Sequence, residues 1–216
     1  MSRTDIKICG LTERGSLRAA IKAGARWVGF VHFEKSPRHV LRSEGAELVA
    51  SVKSINPDVE TVILLVNPTV DEAVSLAEEW GVDHIQLHGS EDNQLISDIR
   101  AQRKSGEIWK ALPVSAHVDL EAVADFPAAD RFLFDAKPPK DADRPGGWGH
   151  SFDWTILKDF SCDRPWLLAG GLTPDNVAEA VEISGAKAVD VSSGVESEKG
   201  VKDAGKIAAF AGALRK

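Results

Sequence analysis

The sequence predicts one α/β domain over residues 1–216, an eight-unit (β/α)8 barrel, and three observations carry that expectation. Apolar strand-like runs recur at 5–9, 26–31, 60–66, 83–87, 108–112, 131–135, 165–169 and 187–191. Helical patterns follow most of them, and such alternation argues for parallel pairing through crossovers. Eight units can close and bury every strand, and 216 residues sit near the lower end for that architecture. An open doubly wound sheet is the competitor. No Gly-x-Gly-x-x-Gly follows the first strand, which disfavours a dinucleotide fold.

The elements follow in order. The first run, Ile6-Lys7-Ile8-Cys9, ends at Gly10-Leu11-Thr12, read as a turn and a threonine N-cap. Leu17, Ala20, Ile21 and Gly24 then mark a helix. Leu48, Val49, Val52 and Ile55 mark the second, and Val70, Ala73, Val74 and Ala77 the third. Ile207, Ala208, Ala211 and Leu214 mark the last. Each set lies on one helical face. The helix after strand six is weakly marked, around Trp154 to Lys158. Gly10-Leu11-Thr12 reappears as Gly171-Leu172-Thr173, and Gly24-Ala25 as Gly185-Ala186. That echo supports repeated strand–helix units.

Bulk properties narrow the partners. The net charge is −7, from 26 basic and 33 acidic residues, with no basic cluster. Nucleic acid and anionic membrane are therefore not expected. Two distant cysteines, Cys9 and Cys162, fit a reduced setting rather than a disulfide scaffold. No apolar signal or spanning segment is read, so the expected location is cytoplasmic. Monomer and homodimer both stay open.

Candidate site residues cluster at strand ends, where parallel α/β proteins do chemistry. Cys9 ends the first strand, and period-two geometry puts Lys7 on the same face. A nearby ammonium is expected to lower the thiol's pKa; the plain alternative is a small buried hydrophobe. Asp135 follows Phe132-Leu133-Phe134, an apolar approach that favours a protonated acid; the plain alternative is a cap or an ion pair with Lys137. Gln86 and His88 share a face at the end of strand four. Arg38, after strand two, suits a carboxylate, though a solvated loop cation is the commoner reading. Gly170-Gly171 after strand seven, and Asp190 through Ser192-Ser193-Gly194 after strand eight, suit a phosphate. The histidines show no metal-like spacing, so no metal is expected.

Taken together, these motifs closely resemble the phosphoribosylanthranilate isomerase family. They are Lys7-Ile8-Cys9-Gly10-Leu11-Thr12, Ser36-Pro37-Arg38, Gln86-Leu87-His88-Gly89, Phe134-Asp135, the 146–149 loop, Ala169-Gly170-Gly171-Leu172 and Asp190-Val191-Ser192-Ser193-Gly194-Val195-Glu196. The resemblance runs from first strand to last. It implies a barrel of the TIM type that acts in tryptophan biosynthesis on a small phosphosugar, by an Amadori rearrangement without a cofactor. It further implies Cys9 as base, Asp135 as acid, Arg38 as the carboxylate site and Gly170, Gly171, Ser192, Ser193 and Gly194 as the phosphate loops. Lys7, Gln86, His88 and Asp190 are expected to touch substrate. One departure is Trp148, where the family carries a small hydroxyl residue between loop glycines. Rival readings are another phosphosugar barrel or a catalytically silent scaffold.

Overall fold

The computed structural model describes residues 4–103, 105–138, 146, 149 and 151–215. Eight parallel strands close into a barrel in sequence order: β1 Asp5–Cys9, β2 Trp27–His32, β3 Glu60–Leu65, β4 His84–Leu87, β5 Ile108–Val114, β6 Arg131–Ala136, β7 Trp166–Leu168 and β8 Ala188–Val191. β1 pairs β8 to complete the ring, with Lys7 opposite Asp190. Each strand falls within two residues of the run that predicts it.

Period two sorts the side chains. Ile6, Ile8, Val28, Phe30, Ile63, Ile85, Phe132, Phe134 and Val189 join the layer between barrel and helices. Trp27, Val62, Trp109, Ala111, Leu133, Leu167, Ala169 and Ala188 form a separate cluster, the filled barrel interior. Among the described residues the α-helices are α1 Arg14–Lys22, α2 Arg42–Ile55, α3 Val70–Trp80, α4 Asn93–Gln102, α5 Val177–Ser184 and α6 Ala204–Ala213. α3 shows why its boundaries fall where they do. Thr69 and Glu72 satisfy each other's backbone amides at the start, and Gly81 at φ +68 ends it.

The short helix expected around Trp154 to Lys158 is present as a 3-10 segment, Trp154–Leu157, and unit five carries another, His117–Asp125. The structure corrects the sequence reading in three places. The threonines do not cap: Glu13 and Asn176 occupy the N-cap positions, and Thr173 instead donates its backbone N–H to Asn176 Oδ1 at 2.7 Å. Ile55 and Ala208 face solvent, and Phe210 takes the buried place on α6. A short hairpin, β9 Glu196–Glu198 and β10 Val201–Lys202, follows β8 and has no counterpart in the sequence reading. Among the described residues, no helix is long and apolar enough to cross a membrane.

Candidate active site

The carboxyl ends of the strands open into two adjoining hollows of about 470 and 520 Å³. The first is lined by Gly170, Gly171, Ser192, Ser193 and Gly194, together with Lys137. Its walls are glycine backbone and serine hydroxyls, suited to an anion. The second is lined by Cys9, Phe33, Arg38, Leu64 and Val66, an apolar slot with one cation. Asp135, Gly146, Asp190 and Ser192 line both and mark where they join. A ligand with an anion at one end and a flat acidic ring at the other would place its middle between Cys9 and Asp135.

Lys7, wholly buried, donates to Asp190 Oδ1 at 2.9 Å across the β1–β8 seam. Burial alone would lower the pKa of this ammonium. Asp190 and Cys9 outweigh that and raise it, so Lys7 stays charged. Gly29 on β2 gives the pair room: a Cβ there would sit 2.9 Å from Cys9 Sγ and 3.2 Å from Lys7 Nζ. The thiol departs from expectation. Burial pushes it above its ordinary value, and the lowering by Lys7 does not reverse this. Cys9 is thus a thiol at rest, with Lys7 and Lys202 favouring its anion and Asp190 opposing it. Cys162, half-buried beside Asp163, touches none of this.

Asp135 accepts from the Ala136 N–H at 2.8 Å, and its second oxygen stands 3.2 Å from His88 Nε2. Asp135 sits inside strand β6 rather than at a helix N-cap, and Lys137 faces Asp119 at 3.9 Å. Gln86, fully buried, donates its amide N–H to His88 Nδ1 at 3.0 Å. Gly146 lies against the pair: a Cβ on it would lie 2.8 Å from Asp135 Oδ2 and 2.9 Å from His88 Nε2. Trp148 lies outside the described residues.

Arg38 is no solvated loop cation. It is buried, and Glu196 from the hairpin accepts from Nε at 2.6 Å and Nη2 at 2.9 Å. Two of its five N–H donors are used this way, leaving three. Among the described residues, no group of three or more His, Cys, Asp and Glu stands close enough to hold a metal ion.

With this geometry in view, the kinship of the chain is clear. The family model described as N-(5'-phosphoribosyl)anthranilate isomerase matches residues 6–213. The chain belongs to this family. The isomerase of Paracoccus denitrificans is 49% identical over 206 residues, covering 95% of this chain and 94% of that protein. That of Rhodospirillum rubrum is 47% identical over all of this chain and 99% of its own. The crystal structure of phosphoribosyl anthranilate isomerase from Thermotoga maritima superposes with a TM-score of 0.84 at 33% identity, covering 100% of this chain and 99% of that one. Another isomerase structure, in complex with reduced 1-(o-carboxyphenylamino)-1-deoxyribulose 5-phosphate, gives 0.82 at 29% identity.

Membership in the family does not by itself explain Gly29, Glu196 and Lys202, which the sequence reading did not place in the site. Gly29 sits mid-strand, where only the closeness of Cys9 and Lys7 shows its use. Glu196 closed a recognised motif, yet its partner Arg38 lies 158 residues away. A lysine in a polar stretch reads as solvated; the hairpin that buries Lys202 carried no strong signal.

Proposed function

We propose that this protein is an N-(5'-phosphoribosyl)anthranilate isomerase of tryptophan biosynthesis that works by acid–base catalysis, with Asp135 as acid and Cys9 as base. The observation that supports the reading best is the junction of the two hollows: an anion cradle on one side, Arg38 on the other, and the two proton-transfer groups between them. The phosphate would sit against Gly170, Gly171 and the Ser192–Ser193–Gly194 turn. The ring carboxylate would take the three N–H groups Arg38 has left, held rigid by Glu196. The sugar then lies across the junction.

Asp135 gives its proton to the furanose ring oxygen. The C1–O bond breaks, and the nitrogen lone pair forms the C1=N iminium. That cation acidifies the proton on C2. Cys9, as thiolate, removes it; the C2–H electrons form the C1=C2 bond as the C1=N pair returns to nitrogen, and the resulting enolamine moves its C2 hydroxyl proton to C1 to give the ketone. Each turnover leaves a proton on Cys9 and one missing from Asp135. His88, 3.2 Å from Asp135, is positioned to hold the acid in place as it cycles. Lys7 and Asp190 orient the thiol side. Every group comes from one chain, so one barrel over residues 1–216 suffices, as monomer or within a homodimer, in the cytoplasm.

The test is fluorescence. Purified protein mixed with freshly made N-(5'-phosphoribosyl)anthranilate in chelator should remove substrate emission far faster than the spontaneous decay. Decay at the uncatalysed rate would mean a silent barrel.

A further inference from the structure

Resting on that reading, we propose that Lys202 is a positioning residue of the isomerase site: from outside the barrel it ties the phosphate turn to the Arg38 pocket and sets a buried positive charge beside Cys9. The side chain comes from β10, and its exposed fraction is 1%. Its ammonium donates to Ser192 O at 3.0 Å, to Ser192 Oγ at 3.2 Å and to Glu196 Oε1 at 2.6 Å. Ser192 Oγ donates in turn to the Cys9 carbonyl at 3.0 Å. Glu196 holds Arg38 with both oxygens and also accepts from the Gly200 N–H at 3.1 Å, which closes the hairpin on itself. The line Arg38–Glu196–Lys202–Ser192–Cys9 is thus continuous, and Lys202 is its middle.

The charges explain why a lysine serves here. Around the thiol stand Lys7 from β1, Asp190 from β8 and Lys202 from β10; Arg38 and Glu196 lie behind Lys202, and Asp135 with His88 across the cleft. On the Cys9 side, three cations (Lys7, Arg38, Lys202) face two carboxylates (Asp190, Glu196). One positive charge is in excess, and a thiolate at Cys9 balances it. Burial of Cys9 raises its pKa, and Asp190 adds to the rise; Lys7 and Lys202 both oppose it. Lys202 itself is lowered by burial, with Glu196 resisting. The charge therefore matters most when the thiol must ionise.

The experiment reads the thiol directly, so it does not depend on Cys9 being the base. In a Cys162→Ser background, the rate of Cys9 alkylation by iodoacetamide is followed against pH by mass spectrometry. Lys202→Gln keeps donors for Ser192 and Glu196 but loses the charge. It should move the alkylation midpoint up by about one unit, reducing thiolate about tenfold at neutral pH. Lys202→Arg should restore the midpoint. An unmoved midpoint in folded Lys202→Gln overturns the proposal. If Lys202→Gln fails to fold, Lys202→Arg decides alone: a midpoint at the wild-type value supports the charge role, and a shifted one overturns it. A shifted midpoint with unchanged pH dependence of kcat/KM would uphold Lys202 and instead remove Cys9 from catalysis.

Discussion

The two ends of the barrel carry similar chemistry to opposite purposes. At the amino ends of the strands, Trp27 and Trp109 pack edge to face at 5.4 Å, and Arg131 lies 5.1 Å from each ring. Arg131 also donates to Glu107 at 2.8 and 3.0 Å, Glu107 accepts from the Trp109 ring N–H at 2.7 Å, and Arg26 faces Asp5 at 2.6 Å. The Asp5, Glu60 and Glu107 side chains here are 34–37% exposed. At the carboxyl ends, around Cys9, the cations Lys7, Arg38 and Lys202 face Asp190 and Glu196, which are only 9% and 5% exposed. A wet end can lose a partner and rehydrate what remains. A dry end cannot, and its surplus charge is held for a ligand. The lower end closes the barrel, and the upper end leaves it chemically unfinished.

The sharpest way to break this comparison is to remove one partner at each end. Glu196→Gln leaves Arg38 and Lys202 buried without their shared carboxylate. It should cost about 3–5 kcal/mol at pH 7 and raise KM. The pH dependence separates this from mere packing loss. Burial would raise the Glu196 pKa, but hydrogen bonding from Arg38 and the charge of Lys202 hold it at about 2, against an ordinary 4.5. A depressed carboxylate contributes stability above its unfolded pKa and loses it as pH falls toward the folded one. The gap in stability between wild type and Glu196→Gln should therefore be full above about pH 5 and close toward pH 2. Thermal melts from pH 2 to 7 check it; a constant gap would mean the ion pairs are not its source.

Arg131→Met at the lower end should do less. The lost charged hydrogen bonds cost about 1.5–3 kcal/mol, because Glu107 can turn to water. kcat and KM should stay at wild-type values, since nothing in the network reaches either hollow. A changed kcat would show that the two ends are coupled, and the division drawn above would fail.

The same contrast sets what the sequence makes legible. Strand tips are readable because period two places Lys7 with Cys9 and Gln86 with His88, and because glycine turns follow apolar runs. Cys9, Asp135 and the glycine loops stand out on those grounds, and their common order carries the family resemblance. Long-range pairing is not readable. Nothing local marks Glu196 and Lys202 as buried, since Glu196–Lys202, five polar residues with one glycine and one valine, resembles any loop. Nor does local pattern tell that burial of Cys9 outweighs the nearby ammonium, because desolvation depends on the whole closed barrel. The 3-10 segment of unit five was hidden for a related reason: His117–Asp125 has good helix formers but only Leu120 buried, too narrow an apolar stripe to hold a regular helix.

The account's central claim is that Cys9 and Asp135 divide the proton transfers, and one paired measurement tests it. Cys9→Ser and Asp135→Asn keep size and shape while removing the base and the proton donor. Turnover by fluorescence, product affinity by calorimetry and thermal stability are measured on both. The account predicts turnover lower by at least about 10³-fold in each, with product affinity within about threefold of wild type and the fold intact. Either variant turning over at near wild-type rate, while folded, would contradict it.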